Sequence, residues 1–267
     1  MRTFAELSDL MGRAALITGG AGHIGSAMAR ALCENGAQVC LVDRPGPIAA
    51  ERYAVLSDAF PGQIHGLEAD IESEQARIDL VAEVERRLGR LDILINNAGF
   101  VGDSQLQGWV VPFEEQKTDT WRRALEVNLT APFHLTQLFT PLLKASGNGS
   151  VINVSSIYGL VGPDMSLYAG TAMGNPAAYA GSKGGLLQLT RWLATTMAPH
   201  VRVNSITPGG LARGQAESFV QKYISRTPLG RMGKEEDFIG AAVFLASDLS
   251  AWMTGQNMIV DGGWTAW

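Results

Sequence analysis

Cysteine is scarce in this chain. Cys33 and Cys40 are the only two in 267 residues, one in a predicted helix and one in a predicted strand, so a C-x-x-C motif is excluded. No signal peptide opens the chain, and the cytoplasmic compartment is the simplest expectation. Basic clusters are missing as well. Lys and Arg number 21 against 26 Asp and Glu, a formal charge of −5, and no basic block interrupts the sequence, so the electrostatic footprint of a nucleic-acid partner is absent. Long apolar runs are also lacking. The longest uncharged stretch, Ala145 to Pro163, is rich in Gly, Asn and Ser, which would leave polar groups unpaired in hydrocarbon, so no membrane span is expected. What is plentiful is glycine, at 31 of 267 residues against the roughly 7% of average usage. With 46% apolar and 18% charged residues, this composition excludes disorder, collagen and coiled coil.

Short apolar runs alternate with helically spaced stripes. Strands are predicted at Ala14–Thr18, Gln38–Val42, Gln63–Ala69, Leu91–Asn96, Ser150–Ser155, Arg202–Ile206 and Met258–Val260. Helices are predicted at His23–Glu34, Ile48–Phe60, Ser73–Leu88, Trp121–Leu143, Ala177–Met197 and Lys234–Ala246. Ile78, Val81, Val84 and Leu88 form the expected sheet-facing stripe of the Ser73–Leu88 helix. Uniformly apolar strands of this length are expected to be buried on both faces. The alternation implies right-handed crossovers and an α/β, doubly wound parallel sheet with helices on both faces. No linker or repeat interrupts it, so residues 1–267 are read as one domain. Residues 156–176 and 209–233 fit no short loop, and long loops in compact domains are usually functional.

Thr18 to Gly25 reads TGGAGHIG, directly after the first strand and at the start of the first helix. Gly20, Gly22 and Gly25 match G-x-G-x-x-G, and Asp43 follows Gly25 by 18 residues at the end of the second strand. Such glycines admit a pyrophosphate to the backbone, the helix N-terminus offers free N–H groups, and the carboxylate accepts from a ribose diol. Asp43 would repel a 2′-phosphate, so NAD is expected over NADP, with Arg44 as the counterweight. Asp70 and Ile71 are expected either at an adenine or, for Asp70, as a helix cap.

Behind that turn stand, in order, Asn96-Asn97-Ala98-Gly99, Asn128, Ser155-Ser156, Tyr179-Ala-Gly-Ser-Lys183, Pro208-Gly209 and Asp261-Gly262-Gly263. Together they resemble the short-chain dehydrogenase/reductase family from about residue 13 onward. The resemblance implies a Rossmann-like sheet of about seven strands and a homo-oligomer, a tetramer or dimer. It also implies cofactor contacts from Gly19, Gly22, His23, Ile24, Gly25, Asp43, Asp70, Ile71, Asn97, Ala98, Gly99, Pro208, Gly209 and Leu211, joined by Tyr179 and Lys183. No residues are assigned to a metal.

Tyr179 and Lys183 are four apart on one helix face. A nearby ammonium is expected to bring the phenol, of ordinary pKa about 10, toward working range, which makes Tyr179 the proton-transfer residue. Family register selects Ser156 to hold the substrate oxygen, with Ser155 as the alternative. Pro132 cannot donate to the Asn128 carbonyl, which leaves that carbonyl free. In the family an asparagine at this place anchors a water that connects the lysine to solvent; an ordinary proline kink is the plainer reading. Tyr158 and Tyr168 are decoys, since Ala172 rather than lysine follows Tyr168 at the required spacing.

Three departures from the family pattern stand out. Ser156 and Tyr179 are 23 residues apart, longer than is ordinary, and the insertion at about Pro163 to Pro176 is expected to form a flap or a subunit contact. His23 replaces a glycine, giving the Gly19, Gly22, Gly25 spacing of sugar-nucleotide epimerases and dehydratases. Arg213 replaces a threonine and adds a possible anion-binding group, with Gln215 beside it.

The expected function is an NAD-dependent oxidoreductase that transfers hydride between nicotinamide and a small-molecule secondary alcohol or ketone. The segment Ser155–Gly162 with the insertion looks similar to oxidoreductases of flagellin glycosylation and nonulosonic-acid pathways, which favours a polyol or sugar-derived substrate. The alternatives are a 3-oxoacyl-thioester reductase, an NAD-retaining sugar-nucleotide epimerase or dehydratase, and a non-catalytic NAD sensor. The epimerase reading expects a larger C-terminal substrate domain, and the sensor reading expects a broken catalytic set.

Overall fold

The parallel sheet that the alternation predicts is present in the computed structural model, which describes residues 1–102 and 106–267. Its strands are β1 (Ala14–Thr18), β2 (Gln38–Asp43), β3 (Ile64–Glu68), β4 (Ile93–Asn96), β5 (Gly149–Val154), β6 (Val201–Pro208) and β7 (Asn257–Val260). They lie in the order β3-β2-β1-β4-β5-β6-β7, every neighbour pair parallel. The helices are α1 (Phe4–Ser8), α2 (His23–Glu34), α3 (Pro47–Ala59), α4 (Glu74–Leu88), α5 (Thr118–Leu125), α6 (Ala131–Ala145), α7 (Ala177–Met197), α8 (Glu217–Ser225) and α9 (Ile239–Ala246). The fold is a doubly wound Rossmann-like sheet. Its strand order reverses between β1 and β4, the place where such sheets open a crevice at their carboxyl ends.

Side chains alternate across β1. Ala15 and Ile17 enter one core with Met28 and Leu32 of α2 and Ala242 and Leu245 of α9, while Leu16 enters the opposite core with Leu80, Leu135 and Leu193 of α4, α6 and α7. Each core holds one of the two free, buried cysteines. The central strands are buried on both faces as expected. The edge strands β3 and β7 are not, because only one neighbouring strand and a partial helical layer cover them.

Several elements depart from the sequence expectation. In α4, Ile78 is 41% exposed, and Leu80 and Val84 form the buried stripe with Arg77. The Arg77 guanidinium donates to the Ile71 carbonyl at 2.5 Å, pairs with Glu126 at 2.7 Å and donates to His134 Nδ1 at 3.1 Å, so burial there is matched by partners. The helix over Trp121–Leu143 is not continuous. A π turn at Glu126–Thr130 separates α5 from α6, and Ala131 N–H reaches back to the Glu126 carbonyl. Pro132, which cannot supply the next backbone donor, sits in the first turn of the resumed helix. The predicted helix at Lys234 starts as a 3-10 turn, Glu235–Phe238, before α9.

Residues 209–233 are closed at their base. Leu211 bridges Gly233, and Gly233 N–H donates to the Gly210 carbonyl at 2.9 Å. Within this segment lies α8, a helix that the sequence pattern does not predict. The insertion packs on it: Tyr168 meets Phe219 with ring centres 5.5 Å apart, Lys222 Nζ donates to the Ser166 carbonyl at 2.9 Å, and Arg226 pairs with Asp164. Residues 163–176 form one face of an aromatic cluster with Phe219, Tyr223 and Trp264.

Candidate active site

β1 ends in Thr18, whose hydroxyl accepts the backbone N–H groups of Asn97 and Ala98, both at 3.1 Å. The Asn97 amide returns two bonds at 3.0 Å, to the carbonyls of Thr18 and Gly19. These bonds fasten the glycine turn to the end of β4. The fastening is close: a Cβ on Gly25 would be driven into the Gly19 carbonyl oxygen, and one on Gly19 would stand 2.8 Å from the Ala98 Cα. Gly19 also has φ +65, which favours glycine.

Asp43 braces the same turn. One carboxylate oxygen accepts Ala21 N–H at 3.0 Å and the other accepts Arg44 N–H at 2.9 Å, a structural role the sequence reading did not assign. Each oxygen keeps a lone pair for a ligand. Asp70 is not the cap of α4. Its oxygen accepts Glu72 N–H at 3.0 Å within the turn, and Ser73 caps the helix through Ala76 N–H at 3.3 Å.

An open cleft of about 580 Å3 runs along these residues. Gly19, Gly22, His23, Ile24, Asp43, Asp70, Ile71, Asn97, Ala98 and Gly99 all line it, together with Phe100, Arg123 and Arg213. Pro208, Gly209 and Leu211 are not among its lining. Pro208 is buried at the end of β6, Gly209 packs against Asp261, and Leu211 packs on the core beneath α9. The cleft fits a dinucleotide, since glycine backbone, the N-terminus of α2 and a carboxylate at the next strand end face one trough.

Tyr179 and Lys183 project from α7. The buried Ser156 hydroxyl accepts Tyr158 N–H at 3.2 Å, and the Tyr179 phenol lies near it. Ser155 is committed elsewhere: its buried hydroxyl donates to the Lys183 carbonyl at 2.9 Å, which removes it as the alternative. Lys183 Nζ donates to the Val154 carbonyl at 2.8 Å, and burial pulls its pKa down to about 8. Burial pushes the Tyr179 phenol upward, with the nearby Ser156 hydroxyl opposing it. Desolvation is the largest influence on both groups, and Lys183 is not among the influences on the phenol in this state.

Asn128 is fully buried in the π turn. Its amide donates to Ser182 Oγ at 3.0 Å and its carbonyl oxygen accepts Phe100 N–H at 2.6 Å, tying the loop after β4 to α7. A Cβ on Gly99 would lie 3.9 Å from both Lys183 Nζ and Asn128 Oδ1, so the lysine lies behind Gly99, while Gly25, Tyr179 and Lys183 are themselves not among the lining of the cleft.

A family model described as enoyl-(acyl carrier protein) reductase matches residues 19–265. The chain is a short-chain dehydrogenase/reductase. A 3-oxoacyl-(acyl-carrier-protein) reductase from Thermotoga maritima is 33% identical to it over 264 residues, 95% of this chain and 98% of that protein. A short-chain dehydrogenase from Leptospira borgpetersenii, solved with bound NAD+, has a TM-score of 0.84 at 34% identity, covering 99% of this chain and 96% of the other. A gluconate 5-dehydrogenase from Burkholderia cenocepacia, in complex with NADP and tartrate, has a TM-score of 0.84 at 30% identity, covering 99% and 100%. This short-chain dehydrogenase/reductase is thus an oxidoreductase of small-molecule alcohol or carbonyl groups that uses a nicotinamide cofactor. No described helix is long and apolar enough to cross a membrane.

Proposed function

We propose that this enzyme is an NAD-dependent dehydrogenase that interconverts a secondary alcohol and a ketone on a polyol or sugar-derived substrate. The observation that carries the reading is the set of Ser156, Tyr179 and buried Lys183, with the Lys183 ammonium next to Gly99 of the cleft that also holds Asp43. A nicotinamide cofactor in the cleft supplies the hydride acceptor or donor. Ser156 donates to the substrate oxygen and steadies the charge that develops on it. Tyr179 Oη gives its proton to that oxygen in reduction and takes it back in oxidation. Lys183 supplies the positive charge beside the phenol and holds a ribose, and Asn128 fixes the helix that carries both. Asp43 accepts from a ribose diol and disfavours a 2′-phosphate. The 209–233 segment forms the substrate wall.

Two things support a polyhydroxylated substrate. The Tyr158 and Tyr168 hydroxyls lie 2.7 Å apart, and the buried Asn175 Oδ1 lacks a partner among the described residues. The gluconate 5-dehydrogenase neighbour acts on such a molecule. Its bound NADP and the NAD+ of the Leptospira structure leave cofactor choice to Asp43. The likeness to a 3-oxoacyl reductase favours a second reading, a 3-oxoacyl thioester substrate. One experiment separates them: nicotinamide absorbance at 340 nm, with NAD+ and NADP+, across polyols, sugar acids, secondary alcohols and 3-hydroxyacyl thioesters. Turnover confined to thioesters with NADP+ rejects the proposal.

A further inference from the structure

Two residues mark this chain off from the family pattern near the cofactor, His23 in the glycine turn and Arg213 in the segment before α8. They are 190 positions apart in sequence, and the fold places both on one atom. Glu235 Oε1 lies 2.6 Å from Arg213 Nη1 and 3.2 Å from His23 Nδ1. Arg213 and His23 line the cleft with Gly19 and Gly22, whereas Glu235 is not part of its lining. The carboxylate therefore stands behind two nitrogen-bearing side chains that face the trough.

The backbone around Arg213 is fixed. Its N–H donates to Gln215 Oε1 at 2.7 Å, and Gln215 Nε2 donates to the Leu211 carbonyl at 2.7 Å. Arg213 Nη1 also donates to the Ala212 carbonyl at 3.1 Å. Its remaining guanidinium N–H groups are in a fork suited to phosphate oxygens. Across the trough, α2 begins at Gly22 without a side-chain cap, so its first-turn N–H groups await an acceptor. The neighbours of Arg213 in the cleft are thus the groups that receive a diphosphate, while Ser156 and Tyr179 are not part of its lining.

We propose that Arg213 and His23, held from behind by Glu235, clamp the diphosphate of the dinucleotide against the first turn of α2. The segment before α8 then closes on the cofactor, and Arg213 does not read an anionic substrate. Glu235 is a positioning residue that touches no ligand. This inference rests on the reading that the cleft takes a nicotinamide dinucleotide.

The test is calorimetric binding of NAD+, ADP-ribose and adenosine to the purified enzyme, without turnover. Arg213→Ala is expected to weaken NAD+ and ADP-ribose by roughly tenfold and leave adenosine unchanged, the loss of one charge-assisted contact. His23→Gly is expected to produce a smaller loss with the same selectivity. Glu235→Ala is expected to weaken ADP-ribose severalfold in the parent enzyme and to add little once Arg213 and His23 are both replaced, a nesting that a general structural role does not produce. Circular dichroism confirms that each variant is folded, and Arg213→Gln substitutes if the alanine variant is not. The clamp is overturned if Arg213→Ala leaves ADP-ribose affinity unchanged while raising substrate KM, or if Glu235→Ala tightens ADP-ribose. Wild-type enzyme that binds adenosine but neither NAD+ nor ADP-ribose overturns the dinucleotide reading itself, an outcome distinct from the other two.

Discussion

Lys183 Nζ donates to the Val154 carbonyl oxygen at 2.8 Å while the residue is only 3% exposed. An ammonium so placed carries a burial penalty, which is why its pKa falls from 10.5 to about 8. Below pH 8 both folded and unfolded chains hold the proton, so the folded state bears the whole penalty. Between 8 and 10.5 the folded state has released the proton and the unfolded state has not, so stability rises with pH. The depression corresponds to roughly 3 kcal/mol and losing the charge-assisted Val154 bond costs about 1.5–3 kcal/mol, so Lys183→Met is expected to be between neutral and about 1.5 kcal/mol more stable at pH 7. That gain shrinks toward pH 10.5. Urea denaturation of both proteins at several pH values checks it, and a gap independent of pH contradicts the assignment.

The elements nearest the cofactor were the most legible, because their signals are local. Strand, glycine turn, helix and Asp43 fall within one unit, and the cleft gathers Gly19, Gly22, His23, Asp43, Asp70 and Asn97 as the spacing implied. What the sequence hid depends on partners distant in the chain. Asp43 as a brace needs Ala21 N–H brought to it, and Ser155 could be set aside only once its bond to Lys183 was visible. Glu235 was missed since nothing local marks it. By contrast, α8 left a readable trace: Phe219, Val220, Tyr223 and Ile224 recur at helical spacing, masked by the polar stretch around them.

Burial raises the pKa of the Tyr179 phenol above its ordinary value, so the neutral form is expected near neutral pH. Reduction, which uses the phenol proton, is expected to be sustained near neutrality and to decline in alkali. Oxidation, which needs the phenolate, is expected to climb as pH rises. Tyr179→Phe is expected to lower kcat by ~10²–10⁴-fold in both directions while NADH affinity, read by nucleotide fluorescence, stays close to wild type. Substantial residual turnover removes Tyr179 from the proton-transfer role.

Asp43 combines recognition with bracing, and two substitutions separate them. Asp43→Ala removes the acceptors of Ala21 and Arg44 and is expected to cost about 1–3 kcal/mol while relaxing the preference for NAD+ over NADP+. Asp43→Asn keeps an acceptor and loses the charge, so it is expected to relax the preference with a smaller loss of stability. The ratio of kcat/KM for the two cofactors is the measurement. An undiminished preference for NAD+ in both variants contradicts the ribose contact.

The Tyr168 hydroxyl meets the Tyr158 hydroxyl at 2.7 Å, and the Tyr168 ring packs on Phe219 of α8. Tyr168→Phe keeps the ring and leaves a largely buried Tyr158 hydroxyl without its partner, an expected cost of about 1–2 kcal/mol. If the insertion contributes to the substrate wall, the same change raises substrate KM severalfold, with little effect on kcat, because the lost interaction binds ground and transition states alike. NAD+ affinity should not move, since Tyr168 does not line the cofactor cleft. Steady-state kinetics beside a binding isotherm makes the distinction: a weakened NAD+ isotherm, or a substrate KM that stays put, means the tyrosine pair only steadies α8 and does not touch the substrate.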